Sequence, residues 1–275
     1  MNNKAIGVFD SGIGGLTVYK AIKEKMPNER VVYLGDTARL PYGSKSKETI
    51  IKYSIQNAEF LIEQDVKIIV IACNSSSSYA VETLQTQFDI PVVGVIEPGA
   101  EAAIKYSKKK IGVIGTTATI CSGAYKTTIL DKSDKFDIIS KDCPLFVPLV
   151  EEGWINHPVT RLVIKEYLEP LVKQNIETLV LGCTHYPVLK EVIKEVIGDE
   201  IKLVDSAETT AQRVYNIFES LGWLSGTKGK VTDEFFVTDF PDRFKRVGEI
   251  FLKKKIEQVK IADIKTIGRN YAVDN

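Results

Sequence analysis

The sequence predicts an α/β protein: two pseudo-symmetric three-layer α/β/α domains with mainly parallel sheets and an active site in the cleft between them. Three observations lead there. Short β-branched runs alternate with helical periodicity along the 275 residues, as expected of parallel strands joined by crossover helices. The alternation repeats: the apolar run at 68–72 ends in Cys73 as that at 178–182 ends in Cys183, 110 positions on, and 6–11 resembles 111–116 at a spacing of 105. Polar groups also follow several strands at what would be one sheet edge, where open α/β sheets bind ligands.

Residues 6–9 read as the first strand. A glycine-rich turn at 10–15 follows, then a helix with Leu16, Tyr19, Ile22 and Met26 on one face. The turn permits close backbone approach, but it lacks the dinucleotide spacing, and Asp10 would oppose a pyrophosphate. A strand at 30–34 leads into a polar, turn-rich stretch at 35–43, either a ligand loop or a solvent-facing connection. A long helix over 45–64 carries Ile51, Ile55, Ala58 and Ile62 on one face. The uncharged run 68–71 reads as a buried parallel strand; Cys73 ends it, and Asn74 with the serines at 75–78 offers helix caps. A strand at 91–95 and a Glu-Pro-Gly turn at 97–99 close the first unit.

The second unit opens with a short helix to 106, a solvated lysine run at 108–110 and a strand at 110–114. Hydroxyls at 115–119 start the next helix. A strand at 136–140, a loop at 143–148 and an acidic turn at 150–153 follow; one acid of that turn is a candidate to face a site. Helix 159–174 precedes the Cys183 strand, and a helix carrying Leu189, Val192, Ile193 and Val196 is expected to begin directly after it, its free N–H groups favouring a thiolate. A strand at 201–204 ends at Asp205-Ser206. The helix face Ala207, Ala211, Val214, Phe218 and Leu221 stops at Gly222, and 225–229 reads as flexible. A strand at 235–238, a helix at 243–254 and a short strand at 259–262 have no counterpart in the second unit. They are expected to return to the first, giving a discontinuous domain of residues 1–98 plus 208–275 and a second domain of 99–207.

Composition narrows the function classes. Hydrophobic residues are 44% and charged residues 26%, with 36 Lys+Arg against 36 Asp+Glu. That balance gives no global pull toward nucleic acid or an anionic membrane. No apolar run approaches a membrane span and the N-terminus lacks a secretion pattern. The four cysteines lack metal or C-x-x-C spacing, and there are two histidines, so a reducing, cytoplasmic setting is expected. The lysines at 228–230 and 253–255 read as solvated surface.

Cys121 and Cys143 read as small buried hydrophobes. Cys73 and Cys183 stand apart, each after a strand and at repeat-equivalent positions. A cysteine nucleophile needs one thiol and one histidine; two thiols with one nearby histidine suit acid–base work on both faces of a carbon. A free thiol titrates near pH ~8.5, so a modest shift brings it into range. In this scheme His185 orients Cys183 and Asp10 plays the matching part for Cys73. Ser11, Asn74, Ser75, Thr116 and Thr184 would hold a substrate carboxylate. A cysteine hydrolase or lyase on the same halves, and a non-catalytic small-ligand binder, are the rival classes.

At Asp10-Ser11-Gly12, Pro41-Tyr42-Gly43, Ala72-Cys73-Asn74, Gly115-Thr116 with Thr119, and Gly182-Cys-Thr-His-Tyr-Pro187, the chain resembles the glutamate racemases of the aspartate/glutamate racemase superfamily. The resemblance covers nearly the whole chain. It implies interconversion of L- and D-glutamate with no cofactor, neither pyridoxal phosphate nor metal, and supply of D-glutamate for peptidoglycan. It implies that Cys73 takes the proton from D-glutamate and Cys183 from L-glutamate, assisted by Asp10 and His185, with Glu151 a further acid near Cys183. Implied substrate contacts are Asp10, Ser11, Pro41, Tyr42, Gly43, Cys73, Asn74, Ser75, Thr116, Thr119, Cys183, Thr184 and His185. Position 75 is serine where many members carry threonine, which keeps the hydroxyl. A homodimer is implied; racemases for aspartate or another amino acid are the nearest alternatives.

Overall fold

Strand and helix alternate throughout the computed structural model, which describes residues 3–226 and 231–264. In chain order the first half runs β1 (Ala5–Asp10), α1 (Leu16–Lys25), β2 (Val31–Gly35), α2 (Lys47–Glu63), β3 (Val66–Ile71), α3 (Asn74–Gln87), β4 (Val92–Gly94) and α4 (Ile96–Tyr106). Then come β5 (Lys110–Gly115), α5 (Thr117–Cys121), α6 (Ala124–Lys132), β6 (Asp137–Asp142), α7 (Phe146–Glu151), α8 (Pro158–Val172), β7 (Thr178–Gly182), α9 (Lys190–Ile197) and β8 (Lys202–Asp205). The last elements are α10 (Ser206–Leu221), β9 (Glu234–Val237), α11 (Pro241–Leu252) and β10 (Lys260–Ile261).

Local chemistry sets several boundaries. The Ser46 hydroxyl accepts from the Thr49 N–H to start α2, Thr116 from Thr119 to start α5, and the Asp205 carboxylate from Ala207 to start α10, each satisfying an N–H that the helix leaves unpaired. Gly222, at φ +66, ends α10 in the left-handed conformation that glycine tolerates best.

The strands form two sheets, ordered β10-β9-β2-β1-β3-β4 and β6-β5-β7-β8, and all their pairings are parallel. The repeat seen in the sequence is therefore a repeat of topology: β2-β1-β3-β4 matches β6-β5-β7-β8. The late strands β9 and β10 extend the first sheet at its β2 edge. In each sheet the order of strand addition reverses beside the first strand of the unit, between β1 and β3 and between β5 and β7. That is the switch point at which open α/β sheets hold ligands.

Alternation along the strands builds the layers. Ile6, Val8, Val31, Tyr33, Ile68 and Val70 pack with α1 and α11, while Phe9, Val32, Leu34, Ile69 and Ile71 pack with α2 and α3. In the second sheet Leu179 and Leu181 face Ile164, Leu168, Val192 and Ile193, and Ile111, Val113 and Val180 face α4 and α6. Both sheets are thus covered on two faces.

Four local expectations are overturned. The Glu-Pro-Gly stretch at 97–99 is the first turn of α4, not a turn closing the unit. Residues 146–151 are helix, not loop and turn; Pro98 and Pro148 both sit in a first turn, where a missing N–H costs nothing. No helix begins directly after Cys183: a 3₁₀ turn at Tyr186–Leu189 intervenes before α9. Cys121, at the end of α5, is exposed rather than a buried hydrophobe, whereas Cys143 is buried. The lysines at 253–255 are exposed. Those at 228–230, and most of the stretch 225–229 expected to be flexible, lie outside the described residues. No helix among the described residues is long and apolar enough to cross a membrane.

Candidate active site

Both switch points open onto one small cavity. Cys73 caps α3 just beyond β3, and Cys183 follows the last residue of β7. The two thiols, both buried, line a cavity of ≈ 30 Å³ together with Ser11, Gly12, Leu40, Pro41, Tyr42, Gly43, Asn74, Ser75, Thr116, Val147, Glu151, Thr184 and His185. Larger depressions, of ≈ 420, 630 and 380 Å³, lie elsewhere, and their linings carry neither a thiol nor an imidazole. Among the described residues no acidic, thiol and imidazole groups cluster as a metal site.

On the Cys73 side the thiol lies 3.6 Å from the Ser11 hydroxyl. Burial pushes the Cys73 pKa up, to about 11, and the nearby Asp10 carboxylate adds to the rise; the Ser76 N–H and the Ser11 and Ser76 hydroxyls only partly offset it. Cys73 is therefore a protonated thiol at neutral pH. Asp10 lies behind the cavity wall, fully buried. Its carboxylate accepts from the Gly12 N–H at 2.9 Å and, across the cleft, from the Thr184 hydroxyl at 3.5 Å. Burial raises its pKa against the pull of His185 and the N–H groups of Gly15 and Gly12.

On the other side the Cys183 sulfur stands 4.0 Å from His185 Nδ1, and the opposite ring nitrogen lies 3.1 Å from Glu151 Oε1. Burial alone would depress the His185 pKa. The hydrogen bonds and charges of Cys183 and Glu151 outweigh it and push it up to about 10. Glu151 is held below the usual carboxylate range: burial pushes it up, but the His185 hydrogen bond and the charges of His185 and Arg243 prevail. The imidazolium's contribution to stability is complete below pH 6.5, declines above it, and is gone once the pH passes about 10. Between those values the melting temperature of His185→Asn should fall less steeply than that of the unaltered chain, followed by circular dichroism. Equal slopes would refute a charged imidazole.

The polar floor joins the two halves. Ser75 Oγ lies 2.9 Å from Thr116 Oγ1 and 3.4 Å from Thr119 Oγ1. The Tyr125 hydroxyl donates to Asn74 Oδ1 at 2.8 Å, while the buried Asn74 Nδ2 has no partner among the described residues. That leaves an amide N–H pair available to an acceptor in the cavity. Tyr42 contributes its ring to the wall; its hydroxyl is engaged by Asp36 and Asn57. Thr119 sits behind Ser75 and Thr116 and does not line the cavity.

Sequence reasoning missed Val147, hidden because α7 reads as a loop, and Leu40, one residue before the Pro-Tyr-Gly motif. It also missed Tyr125 and Arg243, which reach the site only through the tertiary fold.

Residues 6–214 match the family described as Asp/Glu/Hydantoin racemase. The chain belongs to this racemase family. Glutamate racemase of Geobacter metallireducens is 50% identical over 257 residues, covering 93% of this chain and 95% of that protein. That of Persephonella marina is 48% identical over 266 residues, covering 96% and 100%. Among solved structures, a glutamate racemase isoform from Bacillus anthracis superposes with a TM-score of 0.92 at 38% identity, covering 96% of this chain and 98% of that one. Glutamate racemase from Francisella tularensis in complex with D-glutamate gives 0.90 at 42%, covering 96% and 99%. Within the racemase family the two-domain α/β architecture is thus shared along nearly the full chain.

Proposed function

We propose that this chain interconverts L-glutamate and D-glutamate with two thiols and no cofactor, an isomerase that supplies D-glutamate for peptidoglycan synthesis. The observation that carries this is one cavity lined by Cys73 from the first sheet and Cys183 from the second, in a chain half identical to a glutamate racemase.

Cys183, beside the His185 imidazolium, takes the α-proton of L-glutamate. Cys73, kept protonated by burial, returns a proton to the opposite face; D-glutamate runs the sequence in reverse. Glu151 and Asp10 set the charge on each side. Asn74 Nδ2 and the hydroxyls of Ser11, Ser75, Thr116 and Thr184 hold the carboxylates and the charge that develops on them. Pro41, Tyr42 and Gly43 form the wall, and Thr119 acts from behind it by fixing Ser75 and Thr116. The cavity has room for about one water, and glutamate needs several times that volume. Admission of substrate therefore parts the two halves, and closure excludes water from the carbanion.

The same reading divides the chain into domains 1–98 plus 208–275 and 99–207, supported by the return of β9 and β10 to the first sheet. It places the protein in the cytoplasm as a homodimer, with no nucleic-acid or membrane partner.

Incubation of L-glutamate with the protein in D₂O, with no cofactor added, tests the function. Circular dichroism should follow loss of optical activity while NMR follows deuterium entering the α-position. Retention of the α-hydrogen would defeat the reading, and faster turnover of L-aspartate would reassign the substrate.

A further inference from the structure

Glu151 has two oxygens and only one is used by His185. The other is claimed from the opposite side of the cleft. Arg243, in the first turns of α11, donates from Nη2 to Glu151 Oε2 at 3.1 Å and stands 3.8 Å from Glu152 Oε1. Glu151 ends α7, between strands of the second sheet, whereas α11 connects two strands of the first. The contact thus bridges the halves and completes a chain of contacts: Arg243, Glu151, His185, Cys183.

We propose that Arg243 is a positioning residue for the Cys183 side of the reaction, pinning the Glu151 carboxylate toward His185 when the cleft is closed. The proposal rests on the racemase function above, in which Arg243 otherwise has no part. A carboxylate held by one hydrogen bond can turn about its Cγ–Cδ bond and release the imidazole. One held at both oxygens by groups on opposite sides cannot. Charge-assisted contacts at both oxygens are the geometry that fixes a carboxylate most firmly. Arg243 is itself part-exposed, and an exposed ion pair adds little to stability. Its effect lies in aligning His185 with the sulfur 4.0 Å away, where small displacements are costly to rate. The bridge also ties alignment to closure, because opening the cleft for substrate separates α11 from α7.

The charged groups around Glu151 are His185 after β7, Arg243 on α11, Glu152 beside it in the chain, and Asp10 at the end of β1. His185 and Arg243 lower its pKa, so removing Arg243 raises the pH below which Glu151 loses its charge.

The test uses the full chain with Arg243→Ala, Arg243→Lys and Glu151→Gln, singly and with Arg243→Ala combined with Glu151→Gln. Arg243→Ala should lower kcat/KM for glutamate about tenfold and move the acidic limb of the pH profile upward. Arg243→Lys should recover most of both. In the Glu151→Gln background, Arg243→Ala should add less than about twofold, because its influence runs through Glu151. Arg243→Ala within about twofold of the unaltered chain with its acidic limb unmoved, or a full loss persisting without Glu151, would overturn the proposal. Failure of the unaltered chain to racemise glutamate is a separate result, which overturns the function itself.

Discussion

Cys73→Ser and Cys183→Ser are each expected to lower the rate of glutamate racemisation by about a thousandfold, the range over which a positioned acid or base acts. The expectation follows from inversion itself. A proton removed from one face must be replaced on the other, so neither thiol can cover for its partner. Serine is nearly isosteric, but its hydroxyl is far less acidic, and at neutral pH it neither forms the base nor gives up a proton readily. Both side chains are buried beside hydroxyl or imidazole groups that a serine can bond, Ser11 on one side and His185 on the other. The fold should therefore survive, with melting temperatures within a few degrees of the unaltered chain. Polarimetry of each variant with each enantiomer reads the result. If either variant kept more than about a tenth of the activity, a two-thiol reaction would be untenable.

The parts of this site that the sequence reveals are those the chain carries next to a strand. Cys73 and Cys183 follow apolar strand runs, Asp10 ends the strand that pairs beside the first, and Ser11 and Thr116 stand one residue beyond the strands that pair beside the two. Strand and site residue are thus read in one window, and the repeat tells which windows belong together. Glu151 is different. The local pattern offers it only as one acid of a turn, and its role comes from the family resemblance, because prolines at 144 and 148 disguise the helix Phe146–Glu151 as a loop. Arg243 lies 92 residues beyond Glu151, on an element that the repeat does not contain. No local pattern marks it, because its contact is made by closure of one half on the other. The same holds for the Tyr125 bond that turns Asn74 Nδ2 toward the cavity. Sequence shows which residues stand at the sheet edges, but not how closely the two edges approach.

That approach makes Gly14→Ala the second large effect. A Cβ added at Gly14 would lie 2.3 Å from Thr184 Oγ1, 2.5 Å from His185 Nδ1 and 2.7 Å from His185 Cε1. The backbone of Gly14 needs no left-handed conformation, so it is space across the cleft that keeps this residue a glycine. The obstructing groups cannot swing aside. His185 is held by Glu151 at 3.1 Å and packs edge-on against Phe251 at 5.4 Å, and Thr184 is bonded to Asp10. A methyl group must therefore push the imidazole away from Cys183 or hold the two halves apart. Either displacement approaches 1 Å, enough for about a hundredfold loss in kcat/KM. Gly43→Ala tests the same interface from its other side, since its Cβ would stand 2.6 Å from Thr116 Cβ. Both substitutions strike contacts between the halves rather than the core of either, so kcat/KM should collapse while thermal stability changes little. Gly14→Ala with activity within about threefold of the unaltered chain would mean that turnover proceeds without the close approach seen here, and the alignment of Cys183 by His185 would lose its structural basis.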